Sequence, residues 1–228
     1  MSKPSKRRVA NMSIRSEHDP LPIAEAVEVV KSYQNTKFDE TVEVSLRLGI
    51  DARQSTQGVR GAFSLPHGIG KQMRVIAFCD GPVVEEAMEA GAMEAGGEEL
   101  AKKIEGGWLD FDVAIAHPSS MRYVGKLGRI LGPQGKMPTP KTGTVNADVP
   151  SAVKEFVAGK VEFRNDAGGI VHAPVGKKSF EVEKLTDNIT AFIDHVLTLR
   201  PTTTKGVFLR KAHVKATMSP SVQLQLGG

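Results

Sequence analysis

Residues 75–79 read VIAFC and residues 113–116 read VAIA, two runs made only of apolar side chains. Successive side chains of a strand point to opposite faces, so an unbroken apolar run of this length belongs to a strand buried on both sides. A helical pattern from about Val83 to Ile104 separates the two runs, and a second helix is predicted between Ser119 and Leu131. Strand, helix, strand, helix is the order of a small α/β unit built on a parallel sheet.

The chain on either side of this unit is written differently. Val42, Val44, Leu46 and Leu48 alternate with Glu43, Ser45 and Arg47, the pattern of a strand with one wet face. The same alternation is read at Val161 and Phe163, at Val207 and Leu209, and at Val222, Leu224 and Leu226, interleaved with Gln223 and Gln225. Helical spacing joins Ile23, Ala26, Val27 and Val30 after Pro22, and Leu185, Ile189, Phe192, Ile193 and Val196 further on. These patterns predict a discontinuous α+β domain from residues 1–68 and 159–228, interrupted by an inserted α/β domain at 69–158. The crossings fall near residues 66–70 and Gly159, where glycine gives the backbone freedom to turn.

Composition fits this division. A chain of 228 residues with 40% apolar content can bury one large core or two small ones. The net charge of +4 and pI near 9.1 lean towards an anionic partner. One cysteine, Cys79, excludes an internal disulfide or a Cys-rich zinc site and fits a reducing compartment, so a cytoplasmic location is expected. The start, MSKPSKRRVANMS, has no apolar signal core, and no run is long enough to span a bilayer, so no membrane partner is expected. Lys3, Lys6, Arg7 and Arg8 read as a disordered basic tail. Residues 1–68 carry ten basic and eight acidic side chains, residues 159–228 ten and six, and residues 69–158 ten and twelve. The compound domain is thus +6 and the insert −2, which makes the compound domain the better nucleic-acid face.

The insert is uneven. No acid occurs from 113 to 147, and residues 121–145, MRYVGKLGRILGPQGKMPTPKTGTV, hold five Gly, three Pro and five Lys or Arg. Gly132 to Lys136 is not a phosphate loop, because position 130 is Ile and Met137 follows the lysine where Ser or Thr would hold magnesium. Gly68 and Gly70 do not complete a dinucleotide fingerprint, since the third position is Met73. The six histidines show no metal-ligand spacing, so neither a metal nor a cofactor is expected. Asp110 and Asp112 share a strand face, as a candidate metal or acid/base pair would, but with no third ligand nearby in sequence they read as a solvated strand entrance; Cys79 reads as core rather than nucleophile, and Ser119 and Ser120 lack a nucleophile elbow. No catalytic constellation emerges.

Binding chemistry remains. Lys37 and Phe38 lie between the first helix and the strand expected from Glu40 to Leu48, where a cation and an aromatic ring can meet phosphate and sugar or base. The other reading of Phe38 is a core plug. Thr217, Met218, Ser219 and Pro220 link two strands, either as a plain turn or as a hydroxyl-rich site for RNA 2′-OH groups.

Six segments in order then carry a resemblance: KFDETVEVSLRLGID from Lys37, VRGAFSLPHGIGK from Val59, GWLDFDVAIAHPSSM from Gly107, LGRILGPQGKMPTPKTGTV from Leu127, GKVEFRNDAGGIVHAPVGKKSF from Gly159 and TMSP from Thr217. The chain resembles the bacterial-type large-subunit ribosomal protein L-one family. The resemblance implies a discontinuous α+β RNA-binding domain with an inserted, Rossmann-like, three-layer α/β domain, and no enzymatic activity. It implies binding to a large-subunit rRNA junction as a monomer within the ribosome, release of deacylated tRNA from the exit site, and repression of the protein's own mRNA. The implied rRNA contacts fall on Lys37, Phe38, Thr41, Arg53, Arg164, Thr217, Met218 and Ser219, the last standing where the family usually has Gly. Arg129, Gln134, Lys136 and Lys141 mark a loop expected to make transient contact with tRNA or a neighbouring RNA surface. The competing class is a small-ligand or nucleotide-binding enzyme using the α/β insert.

Overall fold

The structure is a computed structural model that describes residues 5–14, 20–34 and 36–226. In chain order it forms α1 (Lys6–Ile14), α2 (Ile23–Ser32), β1 (Thr41–Leu48), β2 (Arg60–Ser64), β3 (Val75–Phe78), α3 (Val83–Glu89), β4 (Glu94–Gly96), α4 (Glu98–Glu105), β5 (Val113–Ala116), α5 (Met121–Lys126), α6 (Gly128–Leu131), α7 (Val149–Val157), β6 (Lys160–Arg164), β7 (Ile170–Lys177), α8 (Val182–Thr198), β8 (Leu209–Ala216) and β9 (Val222–Leu224). Contacts gather these into two compact units, Met1–Gly70 with Phe163–Gly228, and Lys71–Glu162.

The first unit is built on a four-stranded sheet of order β7-β1-β8-β9. β1 pairs antiparallel with β7 on one edge and β8 on the other. Its even-numbered residues Val42, Val44, Leu46 and Leu48 are buried, and α2 and α8 cover the sheet's apolar face. Leu185, Ile189, Phe192 and Val196 of α8 meet Ala26, Val27 and Val30 of α2 in this core.

One irregularity determines which side chains reach the open face. Ile170, His172 and Pro174 of β7 face outward, and strict alternation would put Gly176 outward and Lys177 in the core. Instead Val42 pairs with Gly176 and Glu43 with Pro174, so a bulge inserts one residue and two successive positions, Val175 and Gly176, are buried. The parity flips, and Lys177 lands opposite Thr41 on the open side. Gly176 is required there: its φ is +155°, and a Cβ would stand 2.8 Å from Leu185 and 3.1 Å from Phe180.

Several expectations need correction. Val207 lies outside any strand and is 70% exposed, whereas β8 runs from Leu209 and buries Ala212, Val214 and Ala216. β7 and α7 were not anticipated at all. Lys6, Arg7 and Arg8 sit in α1, which Asn11 ties down by accepting a hydrogen bond from the Gln34 amide at 3.0 Å. Lys3 lies outside the described residues.

In the second unit β4, β3 and β5 form a parallel three-stranded sheet. All eight residues of β3 and β5 are buried. Ile76, Phe78, Ala114 and Ala116 pack on one side with Leu100, Ile104, Val124 and Leu131 from α4, α5 and α6. α7 packs against the same two strands, and α3 against α7. The predicted single helix from Val83 to Ile104 is broken: Gly91, at φ +104°, ends α3, and residues 94–96 add the edge strand β4. The helix predicted between Ser119 and Leu131 is likewise split at Leu127. α7 has a start signal in the sequence, because Asp148 caps the Ser151 amide at 3.1 Å and Pro150 occupies the first turn.

The candidate carboxylate pair here is structural. Arg74 bonds Asp110 and Asp112, and Lys71 reaches Asp112 at 3.0 Å. Cys79 is buried, and burial followed by the nearby Asp80 charge pushes its thiol pKa up, as expected of a core residue.

Two stability predictions follow from buried polar groups. Asn188 is fully buried, accepts from the His67 amide at 3.0 Å and donates to Gly68 at 3.0 Å and Val175 at 2.8 Å. Asn188→Ala should lower the unfolding free energy by about 2–4 kcal/mol in denaturant titration, because several backbone groups lose their partner at once. Burial raises the pKa of Glu162, and hydrogen bonds from Thr142 and Thr144 only partly oppose this. Its contribution is complete at pH values below the ordinary carboxylate range and is lost as pH rises through the raised value. Glu162→Gln should therefore melt above the parent at neutral pH, with the two curves converging in acid.

Candidate nucleic-acid interface

The odd-numbered residues of β1, namely Thr41, Glu43, Ser45 and Arg47, point away from the helices. Pairing places Lys177 beside Thr41, Lys215 beside Glu43, His172 and His213 beside Ser45, and Lys211 beside Arg47. Arg47, Lys177, Lys211 and Lys215 thus share this face with Glu43 as its one acid among the described positions. Glu43 holds Lys215 at 3.1 Å, and Ser45 Oγ meets His172 Nδ1 at 3.1 Å. A second bulge, between Arg47 and Leu48 of β1, leaves Arg210 exposed next to Lys211. The face is basic and lined with hydroxyl and imidazole groups, a surface suited to a phosphate backbone.

At one end of β1 the expected contact residues converge. Thr217 Oγ accepts from the Thr41 amide at 3.1 Å and donates to the Thr41 carbonyl at 3.2 Å, and the Thr217 amide donates to the same carbonyl at 3.0 Å. Lys177 Nζ donates to Thr41 Oγ at 2.9 Å. Each hydroxyl has one hydrogen and two lone pairs. Thr217 has therefore used its hydrogen and keeps one lone pair, while Thr41 has accepted a bond and keeps its hydrogen. Together they present a donor beside an acceptor, the complement of a 2′-OH, which is itself both.

The Met218 amide donates to Glu40 at 2.8 Å, which joins the 217–220 turn to the segment before β1. Thr36 Oγ donates to the Phe38 carbonyl at 2.7 Å. Phe38 is 54% exposed, which rules out the core-plug reading, and Met218 is 52% exposed. Lys37 is exposed as well. Ser219 donates its amide to Ala216 at 3.0 Å, and its buried Oγ finds no partner among the described residues.

Arg53 and Arg164 belong to the other end of β1. Arg53 is exposed in a loop that Asp51 organises by accepting from the Arg53 amide at 3.1 Å. Arg164 ends β6, just before the turn in which Asp166 Oδ1 accepts from Gly168 and Ile170, each at 2.8 Å. That turn meets the end of β1, where the Leu48 amide donates to the Gly169 carbonyl at 2.9 Å. The hydrogen bond from Ile170, joined by that from Gly168 and by the nearby His172, holds the Asp166 carboxyl below its ordinary pKa against the opposing effect of desolvation. The expected residues thus form two groups with the basic sheet face between them.

Sequence reasoning missed that intervening face. Its signal was present in KAHVKA at 211–216, where Lys211, His213 and Lys215 alternate with Ala212, Val214 and Ala216, but small alanines mark a buried side weakly. In the second unit Arg129, Gln134 and Lys141 are exposed. Lys136 is turned inward instead: its ammonium donates to the Leu109 carbonyl at 2.9 Å and lies 4.8 Å from the Phe111 ring centroid. Among the described residues no group of His, Cys, Asp or Glu could hold a metal ion, and no helix is long and apolar enough to cross a membrane.

Comparison with known proteins identifies the family. Residues 30–220 match the model of the Ribosomal protein L1p/L10e family. Large ribosomal subunit protein uL1 of Thermus thermophilus is 54% identical over 203 residues, which cover 89% of this chain and 89% of that protein. The protein of the same name from Protochlamydia amoebophila (strain UWE25) is 46% identical over 226 residues, covering 99% of this chain and 96% of its own. A match over most of the chain at this identity places it in a family of ribosomal structural proteins rather than enzymes: the chain belongs to the Ribosomal protein L1p/L10e family.

Proposed function

We propose that the protein is a component of the large ribosomal subunit in the cytoplasm and binds a junction of large-subunit rRNA through the first unit. The carrying observation is the Thr41 and Thr217 hydroxyl pair, a donor and an acceptor at the edge of a strongly basic sheet face. Affinity and selectivity divide between these features. Lys37, Arg47, Lys177, Lys211 and Lys215, with Arg53 and Arg164 beyond, attract phosphates by a salt-dependent, sequence-independent interaction. The hydroxyl pair and the exposed Phe38 and Met218 read sugar and base, and so distinguish RNA from DNA. Ser219 does not block this turn, since its backbone hydrogen bond to Ala216 is in place, but it introduces a buried hydroxyl without a partner.

Within the ribosome the protein acts as one copy and forms the mobile stalk beside the tRNA exit site. The second unit serves transient contact with deacylated tRNA, using Arg129, Gln134 and Lys141, while Lys136 stiffens the loop that carries them. A messenger that folds like the rRNA junction is bound by the same face, which gives repression of the protein's own mRNA.

Thr217→Ala removes the acceptor and loosens Thr41, so its dissociation constant for the rRNA junction should rise about fivefold to tenfold at every salt concentration in filter binding. Equal affinity would remove Thr217 from the site. Lys37→Ala should instead reduce the magnitude of the slope of log K against log salt by about one. An unaltered slope would exclude a phosphate contact at Lys37. Ser219→Gly tests the family departure, and unchanged affinity would show that position 219 does not tune binding.

A further inference from the structure

A cleft of about 390 Å³ opens beside Phe38, lined by Thr36, Phe38, Asp39, Glu40, Lys178 and Ser179. We propose that this cleft takes one unpaired guanine base of the bound RNA, stacked on Phe38 and read along its N1–H and 2-amino edge by the Glu40 carboxylate. The inference rests on the RNA-binding reading above and adds a base-specific contact to it.

Charge decides against a phosphate. Two carboxylates, Asp39 and Glu40, face one ammonium, Lys178, so an anion entering the cleft is repelled. Asp39 is already committed, accepting from the Ser179 amide at 3.2 Å and the Ser179 hydroxyl at 2.7 Å. Lys178 is also held, donating to the Tyr33 carbonyl at 2.7 Å, and burial lowers its pKa while the Glu40 charge raises it. Glu40 differs from both. It is 1% exposed, its Oε2 accepts the Met218 amide at 2.8 Å, and no donor among the described residues reaches its buried Oε1. A carboxylate has acceptor capacity on both oxygens, so the cleft is incomplete without a donor from outside.

The donor should come with an aromatic plane. Phe38 is a large exposed ring on the cleft wall, with its carbonyl anchored by Thr36, and such rings bind bases by stacking. Among the four bases guanine alone offers two adjacent donors, N1–H and the 2-amino group, to a carboxylate. Adenine and cytosine set a ring-nitrogen acceptor beside their amino group, and uracil flanks its N3–H with two carbonyls, so each brings a lone pair against Glu40. The Met218 bond links this cleft to the Thr217 turn, so one nucleotide's base and a neighbouring 2′-OH can be read together.

The test is inosine interference with the full-length protein and a large-subunit rRNA transcript spanning the junction, since inosine lacks only the 2-amino group. The expected result is one guanosine at which inosine weakens binding about tenfold. Glu40→Gln should abolish that sensitivity: its single carbonyl oxygen is taken by the Met218 amide, which turns the NH₂ towards the guanine donors. Phe38→Ala, which changes an exposed ring and leaves the core intact, should abolish it too. Absence of any inosine-sensitive guanosine, or the same sensitivity in Glu40→Gln and Phe38→Ala as in the parent, would overturn the cleft assignment alone. Failure of the parent protein to bind the transcript would overturn the RNA-binding reading and this assignment with it.

Discussion

β1 is an inner strand, and both of its backbone edges must find hydrogen-bond partners. The segment that follows it in sequence supplies neither. One edge is met by β7 and the other by β8, so the strand is completed only after the chain has built the whole of the second unit and returned. The Thr41–Thr217 bonds span 176 positions. Discontinuity of the first unit is therefore a consequence of satisfying one strand, and the site lies where its distant partners meet.

The bulge at Gly176 connects this constraint to chemistry. One extra residue in β7 moves Lys177 from the core side to the open side and delivers its ammonium to Thr41. That ammonium occupies a lone pair of Thr41 and leaves its hydrogen available, while Thr217 is left as an acceptor. Polarity at the site is thus set by register rather than by the presence of two threonines. Around it the charge is partitioned. Cations on the sheet face suit phosphates, while the acidic cleft at Phe38 excludes them and leaves room for a neutral base.

Legibility in the sequence followed burial. β3 and β5 could be read because burial on two faces makes every residue apolar, and β1 because its valines and leucines alternate with polar residues without a break. β7 could not, since His172, Pro174 and Gly176 dilute the alternation and the bulge shifts its phase midway. β8 was misplaced toward Val207 because its true buried side is Ala212, Val214 and Ala216, small residues that carry little signal. The helix expected across 83–104 failed at Gly91, where a left-handed φ ends it. Among the proposed contact residues, Lys37 and Phe38 were readable from their junction position, and Thr217 and Met218 from the resemblance. Lys177, Lys211 and Lys215 were not, because their grouping exists only after strands far apart in sequence are paired.

The central claim is that RNA recognition belongs to the first unit. The most direct test replaces residues 71–162 with a short Gly-Ser linker and compares the footprint and dissociation constant on large-subunit rRNA with those of the intact chain. The account predicts the same protected nucleotides and an affinity within about threefold. Loss of the footprint in a variant that still melts cooperatively would contradict it.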